Sequence, residues 1–263
     1  MTDAYFVGVD VGASATKVAV IDADGALCGK TVIPSGFDFY AAGEAALDTA
    51  FADAGISSEQ ATFVLATGYG RSNVPSATAT KTEISCHARG AYHVFKKRMT
   101  LIDIGGQDNK VIEIDAHGKR LNFKMNRKCA AGTGAFIEEI ARRINLPMDA
   151  LDGLARKSTK NVEIGSFCTV FSATEILALI RQGTDVQDIV RGVFWSVAKR
   201  IGEMAPLSDN IVVTGGVVAY NPIVIELLGE LSGVRVVAPP YPQLCGAIGA
   251  ALYAKDASEQ DRN

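Results

Sequence analysis

"VDVGASATKVAVIDADG" at residues 9–25 returns at residues 102–118 as "IDIGGQDNKVIEIDAHG", aligned without a gap at an offset of 93. The identical pairs, eight of seventeen positions, are Asp10/Asp103, Gly12/Gly105, Lys17/Lys110, Val18/Val111, Ile21/Ile114, Asp22/Asp115, Ala23/Ala116 and Gly25/Gly118. A match of this density over one unbroken stretch is hard to assign to chance. It indicates two copies of one unit rather than the many short repeats of a solenoid.

Each copy predicts two strands joined by a glycine turn. An apolar strand ends in Asp-x-Gly, a short polar turn follows, and a second strand leads to another glycine turn. P-loops and dinucleotide fingerprints instead join a strand to a helix and need other glycine spacings. Backbone N–H groups of a tight turn can point at an anion, and Gly12, Gly105 and Gly106 lack the Cβ that would block close approach. One copy alone could be an ordinary hairpin, but two copies with Asp at the strand end favour two phosphate-binding turns.

A third glycine motif lies at residues 211–228, "IVVTGGVVAYNPIVIELL". It predicts an apolar strand that runs into Gly215 and Gly216. A helix is expected to start near Asn221 and Pro222, with Asn as N-cap and Pro at the first helical position. Because a Gly-Gly pair at a strand end lets a flat ring lie against the backbone, this place suits a nucleoside.

Composition excludes several classes of protein. The chain has 263 residues, 48% of them hydrophobic and 21% charged, with a net charge of −3. Without a dense Lys/Arg block, a nucleic-acid surface is not expected. The chain shows neither the basic start of a signal peptide nor an apolar run near the roughly 18 residues of a membrane span. We therefore expect a soluble, cytoplasmic protein with no nucleic-acid or membrane partner.

The five cysteines include no CxxC pair, and an odd number in an intracellular chain does not predict a disulfide framework. Cys28 and Cys245 are expected to serve in packing. Cys86 and His87 adjoin in "TEISCHARGA", but three histidines in the whole chain fit a zinc site poorly. We expect a packed cysteine, a histidine on the surface of the helix and a structural role for Glu83.

Two cysteines stand in a different setting. Cys129 begins "CAAGTGAFIEEIARRI" and Cys168 lies in "GSFCTVFSATEILALI", each before apolar residues at helical spacing. Helix N-termini favour the thiolate, which is the form that binds iron–sulfur clusters. Clusters usually take four thiolates, so two chains could complete one set across a two-fold axis. The alternative is two buried, inert cysteines, which the basic Arg127 and Lys128 and the glycine-rich flanks disfavour.

Two β-rich halves, each with a phosphate turn, together with a nucleoside turn resemble the superfamily of sugar kinases, actin and heat-shock ATPases. The resemblance implies an α/β fold of two duplicated ribonuclease H-like domains, the actin-like ATPase fold, with a nucleotide cleft between them. The first domain would cover residues 1–92, with a helix near residues 244–254 packing back on it. The second would cover residues 93–263 and carry the cluster-ligand helices.

A narrower resemblance covers about residues 4–254. It rests on "GVDVGASATK", "ATGYGR", "EISCHARGA", "DIGGQDNKVI", "KCAAGTGAFIE", "GSFCTVFSATEI" and "VVTGGVVAYNP". These segments are similar to ATP-dependent activators of 2-hydroxyacyl-CoA dehydratases, also called activases or archerases, and to the ATPase subunits of benzoyl-CoA reductases. The cysteine-containing segments are specific to this group.

The resemblance also implies the site residues. Asp10 and Asp103 would act near Mg²⁺ and the attacking group, while Gln107 would orient the attacking water, as glutamines do in other ATPases. Cys129 and Cys168 would hold one 4Fe-4S cluster that bridges two subunits. The residues expected to contact ATP are Gly12, Ala13, Ser14, Ala15, Lys17, Gly105, Gly106, Gly132, Thr133, Gly134, Gly215 and Gly216.

The function that the resemblance implies is an iron–sulfur ATPase that couples ATP hydrolysis to low-potential, one-electron transfer. The acceptor would be a 2-hydroxyacyl-CoA dehydratase or a related CoA-ester reductase, and the donor a ferredoxin or flavodoxin. The chain would form a homodimer, or a heterodimer with a paralogous subunit as in benzoyl-CoA reductase. An alternative of another class is a cluster-free small-molecule kinase, but the short first domain offers no substrate-binding insertion. A nucleotide-sensing scaffold is disfavoured by Asp10, Asp103 and Gln107.

Overall fold

The computed structural model describes residues 4–126, 129–165, 169–207 and 210–261. The first half of the chain forms β1 (Tyr5–Val11), β2 (Ala15–Ile21), β3 (Leu27–Pro34), α1 (Phe39–Ala54), β4 (Ala61–Thr67), β5 (Ala79–Thr80), α2 (Glu83–Phe95), β6 (Met99–Ile104), β7 (Asn109–Ile114) and β8 (Arg120–Asn126). The second half forms α3 (Gly134–Arg143), α4 (Leu151–Ala155), α5 (Thr169–Arg181), α6 (Val186–Met204), β9 (Ile211–Thr214), α7 (Gly216–Tyr220), α8 (Ile223–Ser232), β10 (Val236–Val237) and α9 (Cys245–Asp261).

These elements fall into two compact units. Unit 1 comprises Met1–Arg98, Ile114–Leu121 and Gln243–Asn263, and unit 2 comprises Met99–Glu113 and Asn122–Pro242. The boundary expected between residues 92 and 93 would cut through α2, whereas the chain divides after Arg98. The backbone hydrogen bonds of α2 join residues on both sides of position 92, so the whole helix belongs to unit 1 and the division comes after it.

The two units repeat one sheet topology. Among the described residues each unit has a five-stranded sheet, in the orders β3-β2-β1-β4-β5 and β10-β9-β6-β7-β8. The central strands β1 and β6 each have the next strand of the chain on one side and a parallel strand, β4 or β9, on the other. The prediction of an α/β fold built from two copies of one unit is confirmed.

The sheet of unit 1 is covered on both faces. Val7, Val9 and Val11 of β1 pack into one apolar cluster with residues of α1, while Phe6 packs into another with residues of α2 and α9. This alternation follows from the period of two in a β-strand. Both faces of β1 are therefore apolar, which fixes the strand that carries Asp10.

Unit 2 has one large core, formed by β6, β7 and β9 with helices α3 to α8. Ile102 and Ile104 of β6 are fully buried in it, together with Phe194 of α6. The rigid packing of such a core fixes the carboxyl ends of β6 and β9, where the site residues lie. Within the described part of the chain, every helix is too short or too polar to cross a membrane.

Candidate functional site

The first Asp–Lys turn, residues 10–17, links β1 to β2. Its backbone closes through a hydrogen bond from Gly12 N to Ala15 O of 3.0 Å. The strand register pairs Asp10 with Lys17, and Lys17 Nζ donates to Asp10 Oδ2 at 3.0 Å. Asp10 is only 1% exposed, and a buried carboxylate needs such a partner. The turn therefore holds a paired, buried carboxylate at the end of the central strand.

The second Asp–Lys turn, residues 103–110, repeats this geometry. Gly105 N donates to Asp108 O at 2.9 Å, and Lys110 Nζ donates to Asp103 Oδ2 at 3.2 Å. Lys110 also donates to Asp108 Oδ1 at 2.7 Å. The backbone bond that closes the turn and the Lys-to-Asp bond thus both recur 93 positions later, so the repeat read from the sequence is also a repeat of geometry.

In both turns, other atoms of the same turn leave no room for a side chain at the glycine. A Cβ on Gly12 would lie 2.9 Å from both Ala15 O and Lys17 Nζ, and one on Gly105 would lie 2.8 Å from Asp108 O. These distances are below van der Waals contact, so a larger residue would open the turn. Four tip residues between the two ends, namely Ala13, Ser14, Gly106 and Gln107, are exposed or half-buried. Their contact with phosphate stays a prediction.

A Thr-Gly pair stands beside each aspartate, and sequence reasoning missed the first pair. The parallel registers place Thr67 of β4 opposite Asp10 and Thr214 of β9 opposite Asp103. Gly68 has a φ of +89° and Gly215 a φ of +103°. The signal was present as "LATGYG" and "VVTGGV", in which an apolar strand ends in Thr-Gly.

The two aspartates differ in what their second oxygen binds. Thr214 Oγ1 donates to Asp103 Oδ1 at 3.1 Å, whereas Thr67 Oγ1 donates to Lys81 O at 3.0 Å. Asp10 Oδ1 is buried and has no partner among the described residues. A buried carboxylate oxygen without a donor is costly, and a water bound to Mg²⁺ would supply that donor. The structure at Asp10 therefore fits the expected metal.

The nucleoside motif begins as expected and ends differently. β9 runs into Gly215 and Gly216, but a short helix, α7, starts at once. The following helix, α8, begins at Ile223 and not at Pro222. Its first N–H is accepted by Asp152 Oδ1 at 2.7 Å, so the prediction of Asn221 as N-cap is wrong. A carboxylate distant in sequence caps the helix instead.

The prediction that Cys129 lies at the N-terminus of a helix is wrong. Cys129 is half-buried in an irregular segment, and α3 starts only at Gly134. Gly132 has a φ of +81°, and Thr133 Oγ1 donates to Ala130 O at 2.6 Å, so these residues form a turn before the helix. We call residues 129–133 the thiol segment.

The second predicted cluster ligand is Cys168. Cys168 lies outside the described residues, as do Arg127 and Lys128 beside the first thiol. The helix that follows Cys168, α5, begins at Thr169.

The start of α3 is bound to the second Asp–Lys turn. Gly134 N donates to Gly105 O at 2.9 Å, and Ala135 N donates to Gly106 O at 2.8 Å. The first N–H groups of a helix have no partner within the helix, and here two of them use the turn carbonyls. Thr133 is fully buried. The expected contact of ATP with residues 132–134 stays a prediction.

The remaining cysteines separate into two kinds. Cys86 and Cys245 are buried, as expected, and burial raises the pKa of the Cys86 thiol to about 12. Cys28 is exposed, so its assignment to packing is wrong. It lies on β3, an edge strand whose side chains alternate between core and solvent.

We expect the thiols to differ accordingly in native-state alkylation. At about pH 8, iodoacetamide should modify Cys28, whereas Cys86 and Cys245 should react only after unfolding, because thiolate and access are both needed. Peptide mass spectrometry with and without denaturant measures this difference. Modification of Cys86 in the folded protein would contradict the packing of α2 described above.

His87 is buried, not on the helix surface as predicted. Its Nε2 and Asp10 Oδ2 each lie 2.9 Å from the point where a Cβ on Gly246 would stand. Glu83 Oε1 is 3.9 Å from His87 Nε2. The face of α2 that carries His87 is covered by α9, which comes from the far end of the chain. His87 thus belongs to the surroundings of Asp10.

Comparison with known proteins agrees with this geometry. The (R)-2-hydroxyglutaryl-CoA dehydratase activating ATPase of Acidaminococcus fermentans is 40% identical over 254 residues, 95% of this chain and 96% of that protein. The 2-hydroxyisocaproyl-CoA dehydratase activator of Clostridioides difficile is 36% identical over 261 residues, 98% and 97% of the two chains. The solved structure of that activator with bound ADPNP has a TM-score of 0.91 at 35% identity, covering 98% of this chain and 97% of the other. The BadF/BadG/BcrA/BcrD ATPase family matches residues 7–254. The predicted resemblance is confirmed, and the chain belongs to the BadF/BadG/BcrA/BcrD ATPase family.

Proposed function

We propose that this ATPase is the electron-transferring activator of a 2-hydroxyacyl-CoA dehydratase or a related CoA-ester reductase. It would use ATP to pass one electron at low potential from a ferredoxin or flavodoxin to that partner. Two chains would share one 4Fe-4S cluster, each through Cys129 and Cys168. One observation carries the proposal: the helix that follows the thiol segment is hydrogen-bonded to the second Asp–Lys turn. A candidate cluster ligand and a candidate phosphate turn therefore share one unit.

The residues at the two turns suit ATP and its metal. Asp10 Oδ1 has no partner among the described residues and would accept from a water of Mg²⁺, while Lys17 donates to Asp10 Oδ2. Asp103 is fixed from both sides, by Lys110 and Thr214. Bound Mg²⁺ would neutralise the charge that develops on the transferred phosphoryl group. Gln107, exposed in the second turn, would orient the attacking water.

The thiol chemistry suits a cluster at Cys129 better than at the other described cysteines. Cys86 and Cys245 are buried within unit 1. Cys28 is exposed but lies on an edge strand of the same unit. Cys129 is half-buried in unit 2, in a segment whose backbone is fixed by hydrogen bonds. When bound, the cluster would supply a one-electron carrier, and the thiol segment would hold it in place.

We expect protein purified without oxygen to contain about four iron atoms and four sulfides per two chains. Cys129→Ala should lose the cluster almost completely, because it removes two of the four proposed ligands of the dimer. Iron and acid-labile sulfide analysis, with electron paramagnetic resonance of the reduced protein, measures both. Nucleotide binding should persist, since Cys129 lies outside both Asp–Lys turns.

The matched control is Cys28→Ala, which removes an accessible thiol from unit 1 and should leave the iron content unchanged. Full iron content in Cys129→Ala would show that the ligand assignment is wrong. Subunits that co-purify from the native host distinguish a homodimer from a heterodimer with a paralogue. They also identify the dehydratase or reductase that accepts the electron.

A further inference from the structure

Asn109 connects the second Asp–Lys turn to the thiol segment. It stands in the turn next to Lys110, and its Nδ2 donates to Gly132 O at 2.8 Å. Asn109 is fully buried, so this bond is shielded from competing water. Two backbone bonds from Gly134 and Ala135 to the turn carbonyls also join α3, the helix that follows the thiol segment, to the same turn.

The thiol segment is held along its length. Thr133 donates twice to Ala130 O, through N at 3.0 Å and Oγ1 at 2.6 Å. Asn126 Nδ2 donates to Cys129 O at 3.0 Å. A displacement of Gly132 therefore reaches the backbone of Cys129, three residues away, through a short chain of bonds.

The other copy of the repeat makes a different connection at the equivalent position. The position equivalent to Asn109 is Thr16, whose Oγ1 is 2.9 Å from Ser35 Oγ. Ser35, which directly follows β3, in turn donates to Gly12 O at 2.7 Å. Both turns close with the same backbone hydrogen bond, but the first is bonded to Ser35 after β3, whereas the second is bonded to the thiol segment.

Packing leaves the connection little slack. A Cβ on Gly132 would lie 3.0 Å from Arg200 Cγ and 3.4 Å from Asn109 Nδ2. The segment is thus confined between α6 and β7. In addition, Asn109 Oδ1 is buried and has no partner among the described residues. An unsatisfied buried oxygen offsets the benefit of the Nδ2 bond, so folding stability alone does not account for an asparagine here.

We propose that Asn109 is a positioning residue that couples the second Asp–Lys turn to the thiol segment, so that nucleotide changes the surroundings of the Cys129 thiol. This inference rests on the proposed function in one respect, namely that the second turn contacts nucleotide. It does not require the cluster, because the hydrogen bonds that carry it exist in the chain itself.

The test measures thiol reactivity in cluster-free protein. N-ethylmaleimide is added with no nucleotide, with ADP and with a non-hydrolysable ATP analogue, and modification of the Cys129 peptide is followed by mass spectrometry. We expect the analogue to change the rate at Cys129 by about five-fold or more, the lower end of typical coupling between sites. Cys28, exposed in unit 1, serves as an internal reference and should react at one rate throughout.

The deciding variant is Asn109→Asp, which keeps the size of the side chain but removes the Nδ2 donor. At saturating analogue it should lose the nucleotide dependence at Cys129, as should Asn109→Ala. Thr16→Ala changes the equivalent position of the first turn, and this variant should retain the nucleotide dependence at Cys129.

Two results would overturn the inference while leaving the proposed function standing. One is nucleotide dependence in Asn109→Asp equal to that of the wild type. The other is a rate of Cys129 modification in the wild type that is the same with and without nucleotide, although calorimetry shows that nucleotide binds. Absence of nucleotide binding in every protein would instead refute the proposed function, and the inference with it.

Discussion

Gly249→Ala is expected to lower the free energy of unfolding by about 3 kcal/mol or more, at or above the upper end of what overpacking usually costs. A Cβ at this position would lie 1.7 Å from Cys86 O and 2.9 Å from Gly90 N. Both atoms belong to the backbone of α2, which cannot give way as a flexible side chain can. The new methyl group must therefore push α9 away from α2.

The same interface contains further close contacts that would be lost. A Cβ on Gly90 would stand 2.1 Å from Cys245 O, and one on Gly8 would stand 2.0 Å from Ala247 O. Three glycines on α9, α2 and β1 thus allow these backbones to approach each other. Because α9 also covers His87 and Asp10, its displacement should reduce ATP turnover as well.

Thermal and urea unfolding followed by circular dichroism measure the effect on stability. Each kcal/mol corresponds to a fall in Tm of about 2–4 °C for domains of this size. Gly153→Ala is the control, because Gly153 lies in α4 with open space at its Cβ position. Alanine there should be neutral or stabilise slightly. A Gly249→Ala protein as stable as Gly153→Ala would refute the close packing of α9 on α2.

Asp10→Asn is expected to lower ATP turnover by about 100-fold or more, the scale on which a positioned catalytic group acts. Asparagine has almost the same shape as aspartate, so the backbone of the turn, closed by Gly12 N and Ala15 O, should be preserved. The change removes the negative charge that faces Lys17 and the candidate metal water. Asp103→Asn should also reduce turnover, but less, because both oxygens of Asp103 already accept hydrogen bonds within unit 2.

Steady-state ATPase kinetics and calorimetric nucleotide affinity distinguish catalysis from binding, and affinity should change less than turnover. Asp22→Asn is the matched control in the same repeat. Asp22 Oδ1 accepts from Asp24 N and Ala26 N, each at 2.9 Å, and an amide oxygen can accept both bonds. If Asp10→Asn turned over ATP at the wild-type rate, Asp10 would be only a structural partner of Lys17.

The features that could be read from the sequence are local ones. The hairpin places residues seven positions apart, Asp10 with Lys17 and Asp103 with Lys110, opposite each other across adjacent strands. The glycine turns that follow β2 and β7 are also alike. Asp115 Oδ1 accepts from two backbone N–H groups of its own turn, as Asp22 Oδ1 does. Short turns fix strand register within a few residues, so repeated letters produced repeated hydrogen bonds.

The predictions for His87 and Cys28 were wrong because their surroundings depend on segments that are distant in the sequence. His87 was expected on the surface of its helix, yet it is buried where α9 packs against α2. Cys28 was expected in packing because cysteine is among the most buried residue types, yet it lies on the edge strand β3 with its side chain exposed. Burial depends on which elements cover a face, and a single strand or helix does not contain that information.

The sequence by itself therefore determined the duplication, the two Asp–Lys turns and the family of the chain, because each depends on residues close together along the backbone. Only the tertiary structure decided that Thr67 and Thr214 stand beside the aspartates, since those strands arrive from elsewhere in the chain. It also decided that Asn109 reaches the thiol segment while its counterpart Thr16 binds Ser35. The two copies share backbone geometry because the turn is local, and they differ in their side-chain partners because different segments pack against them.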